Sequence, residues 1–205
     1  MSKIDFKKTL KHLYNPSSKQ FSEVEVPEMN FLMLDGIGNP NTSKNFQDAV
    51  EALYGMAYTL KFMSKASPAG QDFVVPPLQG LWWMEDMAAF NTKNIDKWQW
   101  TMMIMQPDFI TKEMVAEARE QLTAKKNPVA LPQLRFEKFT EGKSVQVLYI
   151  GPYADEHETI LKLHAYIAEK GWVRRGKHHE IYLSDPRRTA PEKLKTVIRQ
   201  PYGIA

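Results

Sequence analysis

The stretch SVQVLYIGPYADEHETILKLHAYIAEKGW, residues 144–172, contains a strand, a sharp turn and a helix in succession. Ser144–Ile150 is rich in apolar and β-branched residues and ends at Gly151-Pro152, which is typical of a strand closed by a turn. Asp155, with Glu158 three residues later, predicts the N-terminal cap of a helix. The helix stripe that we expect to be buried consists of Ile160, Leu163, His164 and Ile167.

Strands are predicted downstream at His179–Leu183 and Thr196–Gln200, which completes a strand–helix–strand–strand module. The first half of the chain has the same order, beginning with an apolar strand at Met29–Leu34. A helix follows from Thr42 or Ser43 to about Ser64, because its apolar residues recur every three or four positions. The remaining predicted elements of this half are strands at Asp72–Val75, Leu81–Met84 and Trp98–Met105 and a helix from Thr111 to about Ala124.

This repetition predicts an α+β fold made of two pseudo-symmetric modules, a diverged duplication. The modules would span about residues 21–125 and 133–205 of one domain, 21–205, preceded by an N-terminal arm at 1–20. We expect an antiparallel sheet with helices on one face and a ligand cleft on the other, where the two halves meet.

Composition excludes several classes of function. The 205 residues include no cysteine, so disulfides, cysteine-ligated zinc and thiol catalysis are excluded. The formal net charge is only +3, which argues against a dedicated nucleic-acid binder. The chain has no apolar run of membrane-spanning length and its first residues do not resemble a signal peptide. We therefore expect a cytoplasmic monomer or homodimer that contacts neither membrane nor nucleic acid.

The strongest candidate for catalysis is Glu180. Glu180 and Tyr182 lie two residues apart on a predicted strand, so they share one face, while Ile181 and Leu183 share the other. If the apolar face meets the helices, Glu180 and Tyr182 line the cleft. A carboxylate among aromatic rings has a raised pKa and acts as a general base, or it pairs with a cationic ligand. The alternative is an ordinary solvated carboxylate on a strand.

Aromatic residues on short strands are the candidate ligand contacts. Trp82 and Trp83 are adjacent, so one should face the core and the other the cleft, and matching the two modules places Trp82 toward the cleft. Trp98 and Trp100 share a strand face, and Tyr149 alternates with core valines. Such rings stack on flat ligands and attract cations. Each of them serves equally well in core packing.

A metal site is not expected. His178, His179 and Glu180 are consecutive, and neighbouring strand residues point to opposite faces, so the three cannot converge without a bulge. No nucleotide-binding glycine loop or nucleophile elbow is present either. We therefore predict no metal and no cofactor.

The C-terminal motif resembles a known family. The runs 178–189 (HHEIYLSDPRRT) and 194–201 (LKTVIRQP) look like the signature of the GyrI-like small-molecule-binding family. Tyr149–Tyr153 with the helix after it, and Pro77–Trp83 in the first half, fit the same family. The resemblance covers roughly residues 20–205. One departure is Gln79, where relatives often carry Glu.

The resemblance implies two strand–helix–strand–strand modules that bind hydrophobic, cationic or planar molecules in the cleft between them. Some members are effector domains of multidrug regulators. One stand-alone subfamily hydrolyses the cyclopropane of DNA-alkylating antibiotics by means of an aromatic cage, and this chain is more similar to that group. We expect a protective hydrolase of xenobiotics, with Glu180 and Tyr182 as its catalytic residues. The alternatives are a drug-sequestering protein and an effector-sensing module.

Overall fold

The computed structural model of the protein describes residues 3–85 and 92–204, and for residues 92 and 93 it describes the backbone alone. The chain clusters into two compact units. Unit 1 comprises Met1–Phe6, Met29–Pro76 and Trp82–Phe139, and unit 2 comprises Lys7–Glu28, Pro77–Leu81 and Thr140–Ala205. Strands and helices occur in both units, and the predicted α+β fold is confirmed.

Unit 1 contains an antiparallel pair of long strands. Strand β1 covers Ser22–Ile37, and its second half pairs with β3, Gln99–Gln106. The register places Gly36 opposite Trp100. A side chain at Gly36 would overlap the Trp100 ring. The glycine is therefore required by the neighbouring indole.

Two helices complete unit 1. Helix α3 runs over Lys44–Ala66, and its N-cap Ser43 accepts a hydrogen bond from the backbone N–H of Phe46 at 3.4 Å. Helix α4 runs over Lys112–Lys125 after the cap residue Thr111. Both helices begin where the sequence predicts, because a serine or threonine oxygen satisfies a backbone donor of the first turn. The buried face of α3 includes Ala49, Ala52, Leu53, Met56, Ala57 and Leu60.

Unit 2 is built around strand β7, Lys195–Ile204, which pairs antiparallel with three strands. Its partners are β4 (Arg135–Ile150), β5 (Trp172–Arg174) and β6 (His178–Tyr182). Strand β2 (Leu78–Trp83) lies beside β6. Helix α5, His157–Glu169, packs on one face of these strands. The core of that face consists of Val145, Val147, Leu163, Ile167, Ile198 and Tyr202.

The N-terminal segment packs into unit 2. It forms two short helices, α1 at Phe6–Thr9 and α2 at Lys11–Tyr14. Leu13 and Tyr14 are 1% and 2% exposed. Gln146 on β4 donates a hydrogen bond of 2.6 Å to the carbonyl of His12. The opposite face of the strands is therefore closed as well, by this segment.

Two local predictions are wrong. The segment at 72–75 forms no strand but a single bridge between Phe73 and Ile4, because Pro76 and Pro77 follow at once. Helix α5 begins two residues after Asp155, with Glu156 at its N-cap position and no side-chain capping bond. In the part of the chain that the structure describes, no helix is long and apolar enough to cross a membrane.

Candidate functional site

Glu180 is held from both sides by residues of its own strand. The alternation of β6 places His178, Glu180 and Tyr182 on one face. Nε2 of His178 lies 3.1 Å from Oε1 of Glu180, and the Tyr182 hydroxyl donates to Oε2 at 2.7 Å. Because a carboxylate only accepts, His178 must carry its proton on Nε2. The Glu180 side chain is 13% exposed and is fixed in one orientation.

Glu180 lies on the face of β6 that packs against helix α5, whereas the sequence predicts that it lies on the opposite face, in a cleft. Glu180 pairs in register with Ile198, and Ile198 belongs to the core under α5. Glu180 and Tyr182 therefore share a face, as predicted, but it is the face on which the helix packs. Alternation alone did not identify it, because the other face of these strands is also buried, partly by polar side chains.

Tyrosine side chains lie on the same face of the strands as Glu180. Tyr182 and Tyr149 both pair in register with Thr196, one from each side, so these side chains point the same way. The ring of Tyr153 meets that of Tyr182 edge to face at 5.6 Å. Tyr149 donates to the carbonyl of Pro152 at 3.1 Å. Since Tyr153 is 38% exposed, it marks the solvent side of this cluster.

The cluster contains a second carboxyl group, that of Glu156, which the sequence pattern does not predict. Glu156 is 3% exposed, and burial together with the negative charge of Glu180 raises its pKa to about 9. The nearby Thr196 hydroxyl opposes this shift. Glu156 is therefore neutral at pH 7 while standing beside Glu180. The sequence pattern points to Asp155 and Glu158 as the capping residues and gives no signal for Glu156, whose burial depends on the packing of α5.

His179 points away from Glu180 into a buried polar network on the other face. Its Nδ1 lies 2.9 Å from Glu141, and Arg199 donates to the same carboxylate at 3.1 Å. Burial would raise the pKa of Glu141, but His179 and Arg199 bring it down to about 2. Burial lowers the pKa of His179. Within residues 3–85 and 92–204 no cluster of three potential metal ligands occurs.

The predicted tryptophans gather in unit 1. Trp82 is 3% exposed and stacks on Phe46 of α3 at 6.1 Å, and Trp98 meets its edge at 5.7 Å. Trp100 is fully buried and packs edge to face on the same Phe46 at 5.3 Å. Trp83 and Trp98 are half-buried. The predicted site residues therefore divide between units, with Glu180, Tyr182 and Tyr149 together in unit 2.

Comparison with known proteins identifies a family that the chain matches. Residues 19–202 match the model of the GyrI-like small molecule binding domain. No curated protein sequence matches the chain significantly.

Among solved structures, an uncharacterized conserved protein from Listeria innocua is 44% identical, with 98% of this chain and 100% of that chain covered and a TM-score of 0.90. A hydrolase from Listeria innocua is 42% identical over the same shares, with a TM-score of 0.88. The C-terminal domain of EcmrR is 13% identical, covers 91% of this chain and 98% of its own, and has a TM-score of 0.59, a likeness of fold alone. The chain belongs to the GyrI-like small-molecule-binding family.

Proposed function

We propose that the protein binds hydrophobic, planar or cationic small molecules beside Glu180 and hydrolyses a strained cyclopropane in them, which protects the cell from such compounds. The observation that carries the proposal is the largely buried Glu180 carboxylate, held by His178 and Tyr182 at 3.1 and 2.7 Å among tyrosine rings. The 42% identity to a hydrolase over nearly the whole chain supports it.

In the proposed reaction Glu180 takes one proton from a water molecule. The water oxygen forms a bond to a ring carbon of the activated cyclopropane as the adjacent ring carbon–carbon bond breaks. The bonding electrons move to the conjugated carbonyl, whose oxygen becomes an enolate or phenolate and then takes up the proton that Glu180 removed from water, which regenerates the carboxylate. A phenol of the cluster donates a hydrogen bond to that oxygen, and Tyr182 can do so once its hydroxyl proton turns away from Glu180. Ring strain supplies the driving force, so a positioned base is sufficient help.

A non-catalytic function is the second candidate, and one observation favours it. Both oxygens of Glu180 already lie within hydrogen-bond distance of side chains of its own strand, which hold the carboxyl group in one orientation. A carboxylate held in this way suits the part of a fixed counter-charge. In this alternative the protein sequesters cationic aromatic molecules without chemistry.

Turnover decides between the two functions. Catalytic amounts of protein are incubated with a cyclopropane-bearing alkylating agent, and hydrated product is counted by mass spectrometry. Product well beyond one equivalent per protein supports the hydrolase. Product that stops at one equivalent or less supports sequestration and overturns hydrolysis of that compound.

Glu180→Gln tests the assigned base. It keeps the shape and removes the charge, and we expect a rate loss of about a hundredfold or more, the usual contribution of a general base. Glu158→Gln is the matched control, because Glu158 lies on α5 with a side chain that is 83% exposed. Full activity of Glu180→Gln would remove Glu180 from the mechanism.

Trp83 and Trp98 remain predicted ligand contacts, together with Trp82, Trp100 and Tyr149. Trp83 and Trp98 are half-buried whereas Trp82 and Trp100 are buried, so the first two are the first to test. Quenching of tryptophan fluorescence by an aromatic ligand should be reduced in Trp83→Phe or Trp98→Phe if that ring contacts the ligand. Unchanged quenching in both variants would argue against these contacts.

A further inference from the structure

Glu156 is a buried acid with an unsatisfied oxygen. It stands at the N-cap position of α5, is 3% exposed, and its Oε1 has no hydrogen-bond partner among the residues that the structure describes. The hydroxyl of Thr196, which interacts with it, also lacks a well-oriented hydrogen bond in that part of the chain. Most buried polar atoms are paired, so a buried carboxyl oxygen without a hydrogen-bond partner requires an explanation.

The side chains around Glu156 come from two strands. Strand β6 contributes Glu180 with its partners His178 and Tyr182, and β4 contributes Tyr149, whose own pKa is raised mainly by burial. The charge that acts on Glu156 is that of Glu180, and it is of the same sign. An ionised carboxylate that is buried without a counter-charge is very costly, so such a group keeps its proton instead.

We propose that Glu156 stands neutral beside ionised Glu180 and thereby limits this site to a single negative charge, which suits monocations and neutral electrophiles. Glu156 is a specificity-determining residue that acts through Glu180, without touching the ligand. The inference rests on the proposed function, since it concerns what Glu180 attracts. It also explains how two carboxyl groups coexist in one nearly dry cluster, because only one of them is charged near neutral pH.

Binding of a monocation over a range of pH tests the inference. The probe is methylphenylpyridinium, a flat aromatic monocation, titrated by calorimetry from pH 7 to pH 10. In the unmodified protein the affinity should rise at least about tenfold as Glu156 ionises and a second negative charge appears. Glu156→Gln should bind like the unmodified protein at pH 7 and should lose this alkaline rise. Circular dichroism at each pH verifies that both proteins are folded.

The outcomes separate this inference from the proposed function. If Glu180→Gln leaves binding unchanged, the proposed function fails. If binding depends on Glu180 but Glu156→Gln weakens it severalfold at pH 7, Glu156 was already charged and this inference is overturned. Carbon-13 NMR of the glutamate carboxyls gives a readout without ligand. A glutamate carboxyl whose pKa lies well above 7 in the unmodified protein, and whose pKa falls in Glu180→Gln, supports the coupling of Glu156 to Glu180. Titration of all glutamates below pH 6 contradicts it.

Discussion

Arg199 donates a hydrogen bond of 2.7 Å from Nη2 to the main-chain carbonyl of Leu13, which precedes it by 186 residues. The same guanidinium binds Gln146 at 2.8 and 3.0 Å and Glu141 at 3.1 Å. A buried guanidinium needs its donors paired, and the N-terminal segment supplies one of the acceptors. This segment is therefore part of the structure of unit 2.

Shortening Leu13 should destabilise the protein strongly. Leu13→Ala removes a side chain that is 1% exposed, and such truncations cost about 2–5 kcal/mol of unfolding free energy. Lys11→Ala, on the same short helix but exposed, should cost less than about 0.5 kcal/mol. Equilibrium denaturation in guanidinium chloride measures both. Equal midpoints for the two variants would show that the N-terminal segment does not contribute to stability.

Neutralising Glu141 should be more damaging than neutralising an exposed neighbour. Glu141→Gln leaves Arg199, whose side chain is 1% exposed, without its counter-charge, and breaking a buried ion pair costs about 3–5 kcal/mol. Glu137→Gln, on the same strand with a side chain that is 51% exposed, is the control. Urea denaturation at pH 7 provides the comparison. A difference of less than about 1 kcal/mol between the variants would contradict the assigned pairing.

Mild acid should destabilise the protein through His164. Burial, together with the charges of Arg174 and His178, lowers the pKa of His164 to about 4. Below pH 6.5 the unfolded chain binds a proton that the folded protein takes up only near pH 4, so stability falls as the pH drops through this window. His179 acts in the same direction.

His164→Gln should therefore flatten the decline of melting temperature between pH 6.5 and 4. His157→Gln, at an exposed position of the same helix, should change the decline much less, because the charge of His157 has the smallest effect on the pKa of His164. Glu141 adds a separate loss at lower pH, because its stabilising charge disappears as the pH falls from about 4.5 through about 2. Identical pH profiles for His164→Gln and the unmodified protein would exclude His164 as the titrating group.

A methyl group at Gly36 should displace the indole of Trp100. The two residues are cross-strand partners, and an added Cβ would overlap the ring, so Gly36→Ala should cost at least about 1–3 kcal/mol. Gly203→Ala is the control, because the nearest atom to its added Cβ lies 3.8 Å away. If the collision is the cause, Trp100→Phe should cost less in the Gly36→Ala background than in the unmodified protein. If the unfolding free energies lost by Gly36→Ala and Trp100→Phe simply add in the double variant, the destabilisation by Gly36→Ala has a cause other than the collision with Trp100.

Local chemistry made much of this fold predictable. Helices α3 and α4 begin where a capping serine and threonine precede an apolar periodicity, and both signals lie within a few residues. Strand β1 was predicted only at Met29–Leu34, whereas it begins at Ser22. Its first residues do alternate charged and apolar side chains, from Glu23 to Val26, but Pro27 interrupts the run, and a proline inside a run argues against a strand.

The site was only partly predictable, for a different reason. The alternation of β6 correctly placed Glu180 and Tyr182 on a shared face, since that depends on two residues of one strand. The burial of Glu156 and the contact of Glu141 with Arg199 depend on segments that meet only in the folded chain. Charged residues are seldom buried, so composition and spacing favour an exposed assignment for each of them.

The division of the chain has a practical consequence for anyone who wishes to isolate one half. Each unit draws on three separate stretches, and strands β1, β2 and β4 each contribute residues to both units. No single cut yields a continuous fragment that holds one complete unit. Expression of either half alone would leave strands without their partners and apolar faces open to aggregation. Studies of ligand binding therefore need the entire chain, with point substitutions in place of truncations.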